Sequence, residues 1–423
     1  MKHIIKLSCS GKFTIFALLI ISFPLFSSDK TDIFWEKQLK AHNISGNDQA
    51  YCYTDEQNQI YGKNINMRIK LASVSKLMTS LWAMEILGSH YKYETKLYIK
   101  GNHLHIKGSL DPFMGNEKIF FLLSQLNDLG FNKFDLITFD KTIQINPNAE
   151  IPTNQYPIIS RASNARNLKM YFNTKDWPLE LSAEYNRIAA LDTSGRMRKF
   201  VNFEIGDAQY VESNPYENDN QVTLLTLSSP ELLKYLKEIN VQSNNYAAHT
   251  IFLKLGGEAK FEKFLNDRYS QTSNTIHFYN GSGLPQINNG VRYDNYSTCH
   301  ATTELISALK YSVEDQGINL SDLIAVPGSD AGTFSNRPFP SELKNSVMAK
   351  TGTLTNISNL AGIISSSKGL SFYGMFNNSK DIEGSKLVQN EMLKSLMSEL
   401  GGPLIFDYQK KEFHTFEESL FSR

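Results

Sequence analysis

Three short stretches, far apart in the chain, carry side chains that make chemical sense only together: Ser73-Val74-Ser75-Lys76, Ser243-Asn244-Asn245 and Lys350-Thr351-Gly352-Thr353. A fold that uses them has to bring all three to one point. On a helix, positions three apart share a face, so the Ser73 hydroxyl and the Lys76 amine come within hydrogen-bond reach. That pairs a weak nucleophile with a base, provided that burial or a second cation holds the lysine neutral. The same Ser-x-x-Lys spacing recurs at Ser27/Lys30, Ser341/Lys344 and Ser365/Lys368, so spacing alone decides nothing. Ser73 differs in opening an apolar-periodic run, Leu77, Leu81, Met84 and Leu87, closed by Gly88. The run predicts a buried helix whose first turn holds Ser73, where unpaired backbone N–H groups favour developing negative charge.

A chain of 423 residues exceeds one compact core and implies two domains. Its 43 basic and 43 acidic residues balance, which gives no sign of a nucleic-acid partner. Residues 1–28 read as a secretory signal peptide: Lys2, Lys6 and Lys12 precede an apolar stretch, Phe13 to Phe26, followed by Ser27 and Ser28. That stretch is short for a spanning helix, which needs roughly 20 residues, although an uncleaved anchor stays open. Export implies the periplasm and would permit a disulfide between Cys52 and Cys299, the two cysteines beyond the leader; two separate buried thiols are the plainer reading.

Taken in order, Thr31 caps a helix over Asp32 to Ala41, and a hairpin follows around Asp55-Glu56-Gln57-Asn58. After the Ser73 helix, Lys96 to Lys100 and His103 to Lys107 alternate as paired strands across Gly101-Asn102. His103 and His105 share a face there, read as a solvent-facing strand edge rather than a metal site. A helix over Asn116 to Leu129 and a strand over Phe134 to Phe139 continue what reads as an inserted domain, whereas Asn146 to Asn220 reads as loops with a few short strands. Ser229-Pro230 opens a helix, and the next helix carries Ser243-Asn244-Asn245 at its start, where a Ser-x-Asn also serves as a plain N-cap. Tyr279 to Pro285 forms a tight loop, Thr302 to Tyr311 a helix, and Val347 to Leu354, Leu360 to Ser365 and Leu370 to Phe376 three strands. A last helix, Ser385 to Leu400, stops at Gly401-Gly402-Pro403. The expected class is α+β: an antiparallel sheet covered by helices, with a smaller inserted α/β domain. The divisions are 29–92 and 225–423 for the main domain and 93–224 for the insertion.

The three motifs resemble those of penicillin-binding proteins and serine β-lactamases. Gly108-Ser109-Leu110-Asp111-Pro112, Asn280-Gly281-Ser282-Gly283-Leu284, and Gly332-Thr333 with Arg337 extend the likeness to the low-molecular-mass class C penicillin-binding proteins, the D-alanyl-D-alanine carboxypeptidase/endopeptidase family. The resemblance implies that Ser73 attacks the D-Ala-D-Ala carbonyl with Lys76 as base, that Ser243 relays the proton to the leaving group, and that Asn245 orients Lys76. It implies a substrate-binding set of Lys350, Thr351, Gly352, Thr353 and Arg337, peptidoglycan stem peptides as substrates, and β-lactams as covalent inhibitors. No cofactor or metal is implied, and oligomeric state is left open.

Three departures stand out. Only about 165 residues separate Lys76 from Ser243, which implies that at least one subdomain usual in this family is missing or reduced. Asn280 stands where the family usually has Asp, and Asp330-Ala331-Gly332-Thr333 has one residue more than the usual Asp-Gly-Thr. The rival readings are a non-catalytic peptidoglycan-binding or penicillin-binding relative, against which the full set of catalytic residues speaks, and a β-lactamase. A β-lactamase of class A would need a deacylating Glu-x-x-x-Asn loop after the second motif; Glu184 with Asn186 comes too early and at the wrong spacing. His-Glu-x-x-His, Cys-x-x-Cys and phosphate-binding glycine loops are all missing from the sequence, so metal and nucleotide chemistry find no support.

Overall fold

The computed structural model describes residues 27–423, and the leader read over residues 1–28 lies outside them except for Ser27 and Ser28. Those two open the first helix, Ser27–Ala41, which therefore starts earlier than the Thr31 cap suggested. The Thr31 hydroxyl instead donates to Glu399 across the molecule at 2.6 Å.

Two sheets organise the chain. The first has five antiparallel strands in the order Val347–Leu354, Ile357–Ser366, Gly369–Asn378, Gln49–Thr54, Ile60–Lys63. Its strands other than the edge strand Ile60–Lys63 are largely buried on both faces, and alternation sends successive side chains to opposite cores. Tyr51 and Tyr53 pack with Trp35 and with Val388, Met392 and Leu396 of the C-terminal helix Ile382–Glu399. Ala50 and Cys52 face the other way, toward Leu77 and Leu81 of Ser75–Leu87 and Leu305 and Leu309 of Cys299–Glu314. A Cys52–Cys299 disulfide joins sheet to helix there, so the two cysteines are paired and not separate thiols.

The second sheet has six strands in the order Leu420–Ser422, Thr223–Glu231, Lys92–Lys100, His103–Lys107, Lys133–Phe139, Glu204–Tyr210, and its last two pairings are parallel. Its core is separate and takes Ile119, Phe120 and Leu123 from the helix Asn116–Asp128. The strand His103–Lys107 is internal, not an edge. His105 is consequently buried, with Nδ1 2.9 Å from Thr138 Oγ1, contrary to the solvent-facing reading.

Two further expectations fail for physical reasons. Residues 146–220 contain two helices, Arg161–Tyr171 and Leu179–Leu191, besides the strand Glu204–Tyr210. Each helix buries few apolar residues, Leu168 and Tyr171 on one, Tyr185 and Ile188 on the other, so periodicity was faint. The first is nucleated instead by a reciprocal Ser160/Ser163 capping box. At Ser229-Pro230 the chain is still a strand; the Ser229 hydroxyl accepts from the Tyr93 amide at 2.8 Å, and the helix Leu232–Gln242 begins beyond it.

Candidate active site

Ser73 sits in a single 3-10 turn, Ala72–Val74, that runs straight into the helix Ser75–Leu87. The turn is entered through Ala72 at φ +50°, a left-handed conformation that alanine adopts at a cost of about 1–2 kcal/mol. Neighbours from distant motifs hold it. Asn359 Nδ2 donates to the carbonyls of Lys70 (2.7 Å) and Leu71 (3.1 Å). A Cβ on Gly352 would lie 2.6 Å from the Leu71 carbonyl oxygen, and one on Gly283, itself at φ +83°, only 1.8 Å from that of Ala72. The glycines of the second loop and of the Lys350 strand are thus the only residue type that lets their backbones close on the serine turn.

The three-residue spacing works as expected: Lys76 Nζ lies 2.8 Å from Ser73 Oγ. Lys76 is fully buried, and its Nζ also donates to Asn245 Oδ1 at 2.7 Å and to the Ser282 carbonyl at 2.9 Å. Burial first, and the Lys350 charge second, hold its pKa well below the usual lysine range. A neutral amine in this seat has two N–H bonds and one lone pair. With the N–H bonds on Asn245 and Ser282, the lone pair is left for the serine hydroxyl, which then donates to it. Burial also pushes Lys350 down to about 7; its Nζ donates to the Thr351 carbonyl at 3.1 Å.

Ser243 is not the helix N-cap. Asn244 caps Asn245–Lys254, accepting from the Ala247 amide at 2.9 Å, while Ser243 takes the left-handed conformation between two helices, at φ +60°. Ser243 instead ends the helix Leu232–Gln242 as its C-cap, and it lines a cleft of about 380 Å³ together with Ser73, Asn245, Thr351, Thr353 and Arg337. Lys76 and Lys350 are wholly buried behind it. Arg337 is fastened to the C-terminal helix, with Nε donating to Asn390 Oδ1 and one Nη to Gln389 Oε1, both at 3.0 Å. Burial lowers it only to about 10, so it stays cationic at neutral pH.

Sequence reasoning missed several contributors. The Ser282 carbonyl holds Lys76 directly, the Thr153 carbonyl accepts from Asn245 Nδ2 at 2.6 Å, and Thr333 Oγ1 accepts from Thr351 Oγ1 at 2.9 Å. Ser282 and Thr333 stand in stretches quoted from the sequence, but the role of the Ser282 carbonyl, like that of Thr153, carries no residue-type signal. Among the described residues, Glu258, Glu262 and His277 lie close enough to share a cation, but none of them lines the cleft, and His277 already sits 2.9 Å from each carboxylate.

A serine–lysine pair at the head of a buried helix, with an asparagine behind it and a Lys-Thr-Gly strand beside it, places this molecule in the penicillin-binding-protein and serine β-lactamase superfamily. The sequence profile of the D-Ala-D-Ala carboxypeptidase 3 (S13) family matches residues 36–150 and 207–398, and the chain belongs to that family. Among solved structures it is similar to the predatory endopeptidase Bd3459 of Bdellovibrio bacteriovorus in complex with an immunity protein, at 26% identity over 88% of this chain and 98% of that one, with a TM-score of 0.78. The penicillin G-acylated form of that endopeptidase matches at 25% identity over 88% and 98%, TM-score 0.76. Penicillin binding protein 4 of Haemophilus influenzae shares the fold, at 18% identity over 86% and 99%, TM-score 0.59. No curated protein matches the chain. At the level of the family, the activity is that of a serine peptidase acting on peptidoglycan.

Proposed function

We propose that this protein is a periplasmic D,D-peptidase that hydrolyses the terminal D-Ala-D-Ala bond of peptidoglycan stem peptides, and D-Ala–diaminopimelate cross-links, through an acyl-enzyme on Ser73. The observation that carries this reading is the Lys76 amine, fully buried 2.8 Å from Ser73 Oγ in surroundings that push its pKa well below the usual lysine range. Lys76 takes the hydroxyl proton as Ser73 Oγ bonds to the carbonyl carbon. The oxyanion is received by the backbone N–H groups of Ser73 and Thr353, each such donor stabilising the transition state by about 3–4 kcal/mol. Ser243, on the cleft wall, passes a proton to the departing D-alanine nitrogen, and water then hydrolyses the ester. Thr351, Thr353, Lys350 and Arg337 bind the terminal carboxylate, the two cations by charge-assisted contact; Gly352 lets the substrate backbone approach.

Cross-link cleavage finds support in the Bdellovibrio endopeptidases among the similar structures. Export finds support in the buried Cys52–Cys299 bond, which an oxidising compartment favours. The core of the second sheet, separate from the two cores that flank the first, supports a main domain of residues 29–92 and 225–423 interrupted by an insertion of 93–224. The second sheet reaches past those bounds: the strand Thr223–Glu231 adds Leu225 and Leu227 to its core, and Phe416 and the strand Leu420–Ser422 return to it from further along the chain.

The test is digestion of two defined substrates, a stem pentapeptide and a purified cross-linked muropeptide dimer. Release of D-alanine from the first and of monomers from the second, both abolished in Ser73→Ala, is the expected result. Neither product from folded, penicillin-acylated protein would refute the peptidase reading.

A further inference from the structure

The family profile breaks off at residue 150 and resumes at 207, and the chain that fills this break reaches the catalytic lysine from behind. By accepting from Asn245 Nδ2 at 2.6 Å, the Thr153 carbonyl turns Asn245 Oδ1 toward Lys76. Three residues on, the Tyr156 hydroxyl donates to Asn280 Oδ1 at 3.1 Å and shares a hydrogen bond with Ser282 Oγ. Both partners shape the turn that aims the Ser282 carbonyl at Lys76. Asn280 Oδ1 accepts from the amides of Ser282 (3.1 Å) and Gly283 (2.8 Å), and Ser282 Oγ from that of Leu284 (3.1 Å). The two acceptors that flank Ser73 around Lys76 are therefore both oriented from residues 153–156.

The Tyr156 ring has its own seat. It stacks on His249, with ring centroids 4.4 Å apart and planes 26° from parallel. Burial lowers His249 to about 4 and raises the Tyr156 phenol, so at neutral pH a neutral imidazole stacks on the ring of a protonated phenol.

We propose that Tyr156 is a positioning residue for the acyl-transfer step: its hydroxyl fixes the Ser282 carbonyl and, through it, the direction of the Lys76 lone pair. The inference rests on the peptidase reading above. With one acceptor withdrawn, the amine is free to turn an N–H bond onto Ser73 Oγ and its lone pair away, an unproductive arrangement. A carbonyl facing Nζ also favours the ammonium form, so its loss moves the Lys76 titration to lower pH.

Tyr156→Phe removes the hydroxyl and keeps the ring on His249. Lys76 is titrated by NMR in protein carrying carbon-13 at lysine Cε, its signal assigned from a Lys76→Arg sample. The acylation rate with a fluorescent penicillin and the melting temperature are measured on the same preparations. The expected result is a Lys76 midpoint at lower pH and acylation slower by about tenfold with non-covalent affinity unchanged. Ser282→Ala should reproduce both effects, and the double variant should be no worse than either single one, because both changes cut the same link. An unchanged Lys76 midpoint, whatever happens to melting or rate, overturns the inference, as does a shifted midpoint with unaltered acylation. If the parent itself fails to acylate, the peptidase reading falls while the titration still decides what Tyr156 does.

Discussion

At the residue scale, two buried lysines have different tasks. Lys76 must be neutral to accept the Ser73 proton, and burial with the nearby Lys350 charge lowers its pKa to that end. Activity that depends on it is present above its folded pKa and lost as pH falls through that value. Lys350 must be charged to hold a carboxylate, yet burial brings it down to about 7, so in the free enzyme its contribution is present below that pH and fades as pH rises through it. The second-order rate of penicillin acylation should therefore trace a bell whose alkaline limb lies near 7. Lys350→Arg, which cannot lose its proton in this range, should move the alkaline limb upward and leave the acid limb in place. A stopped-flow pH series on both proteins checks this, and an alkaline limb unmoved in Lys350→Arg would assign it to another group.

At the element scale, the site is an agreement between a turn, a loop and a strand over a few backbone atoms. Gly283 illustrates it, since its positive φ and the 1.8 Å approach of a Cβ to the Ala72 carbonyl oxygen leave no room for a side chain. Gly283→Ala should cost roughly 2–4 kcal/mol of folding stability by denaturant unfolding, from backbone strain and overpacking together. It should also slow acylation, since the displaced atoms belong to the serine turn. The same backbone intimacy limits what the sequence discloses. Ser73, Lys76, Asn245 and Lys350 stood out in the sequence because their side-chain types fit the proposed chemistry, and the apolar run of the helix Ser75–Leu87 marked where the first two sit. The Thr153 and Ser282 carbonyls did not, because every residue type has one. The helices Arg161–Tyr171 and Leu179–Leu191 were missed for a related reason: each packs through a few contacts, and the rest of its surface is polar or exposed.

At the scale of the whole molecule, three cores are joined by chain crossings, and one covalent bond ties sheet to helix within a single one of them. Cys52 and Cys299 enclose a sequence separation of 247, which includes the entire insertion, and both are fully buried. Closing so long a loop restricts the unfolded chain, so Cys52→Ala with Cys299→Ala should destabilise the protein by about 2–5 kcal/mol. Calorimetry of the double variant beside the parent measures this. Native parent should meanwhile resist thiol alkylation after mild reductant, because the bond is exposed only on opening. The central claim, that Ser73 is a nucleophile activated by Lys76, is tested most directly by intact-mass and peptide mapping of the purified protein after incubation with penicillin G. The account predicts one added penicilloyl mass located on Ser73, lost in Ser73→Ala and slowed by roughly 10²–10⁴ in Lys76→Gln. An adduct on another residue, or equal acylation of the Lys76→Gln protein, would contradict it.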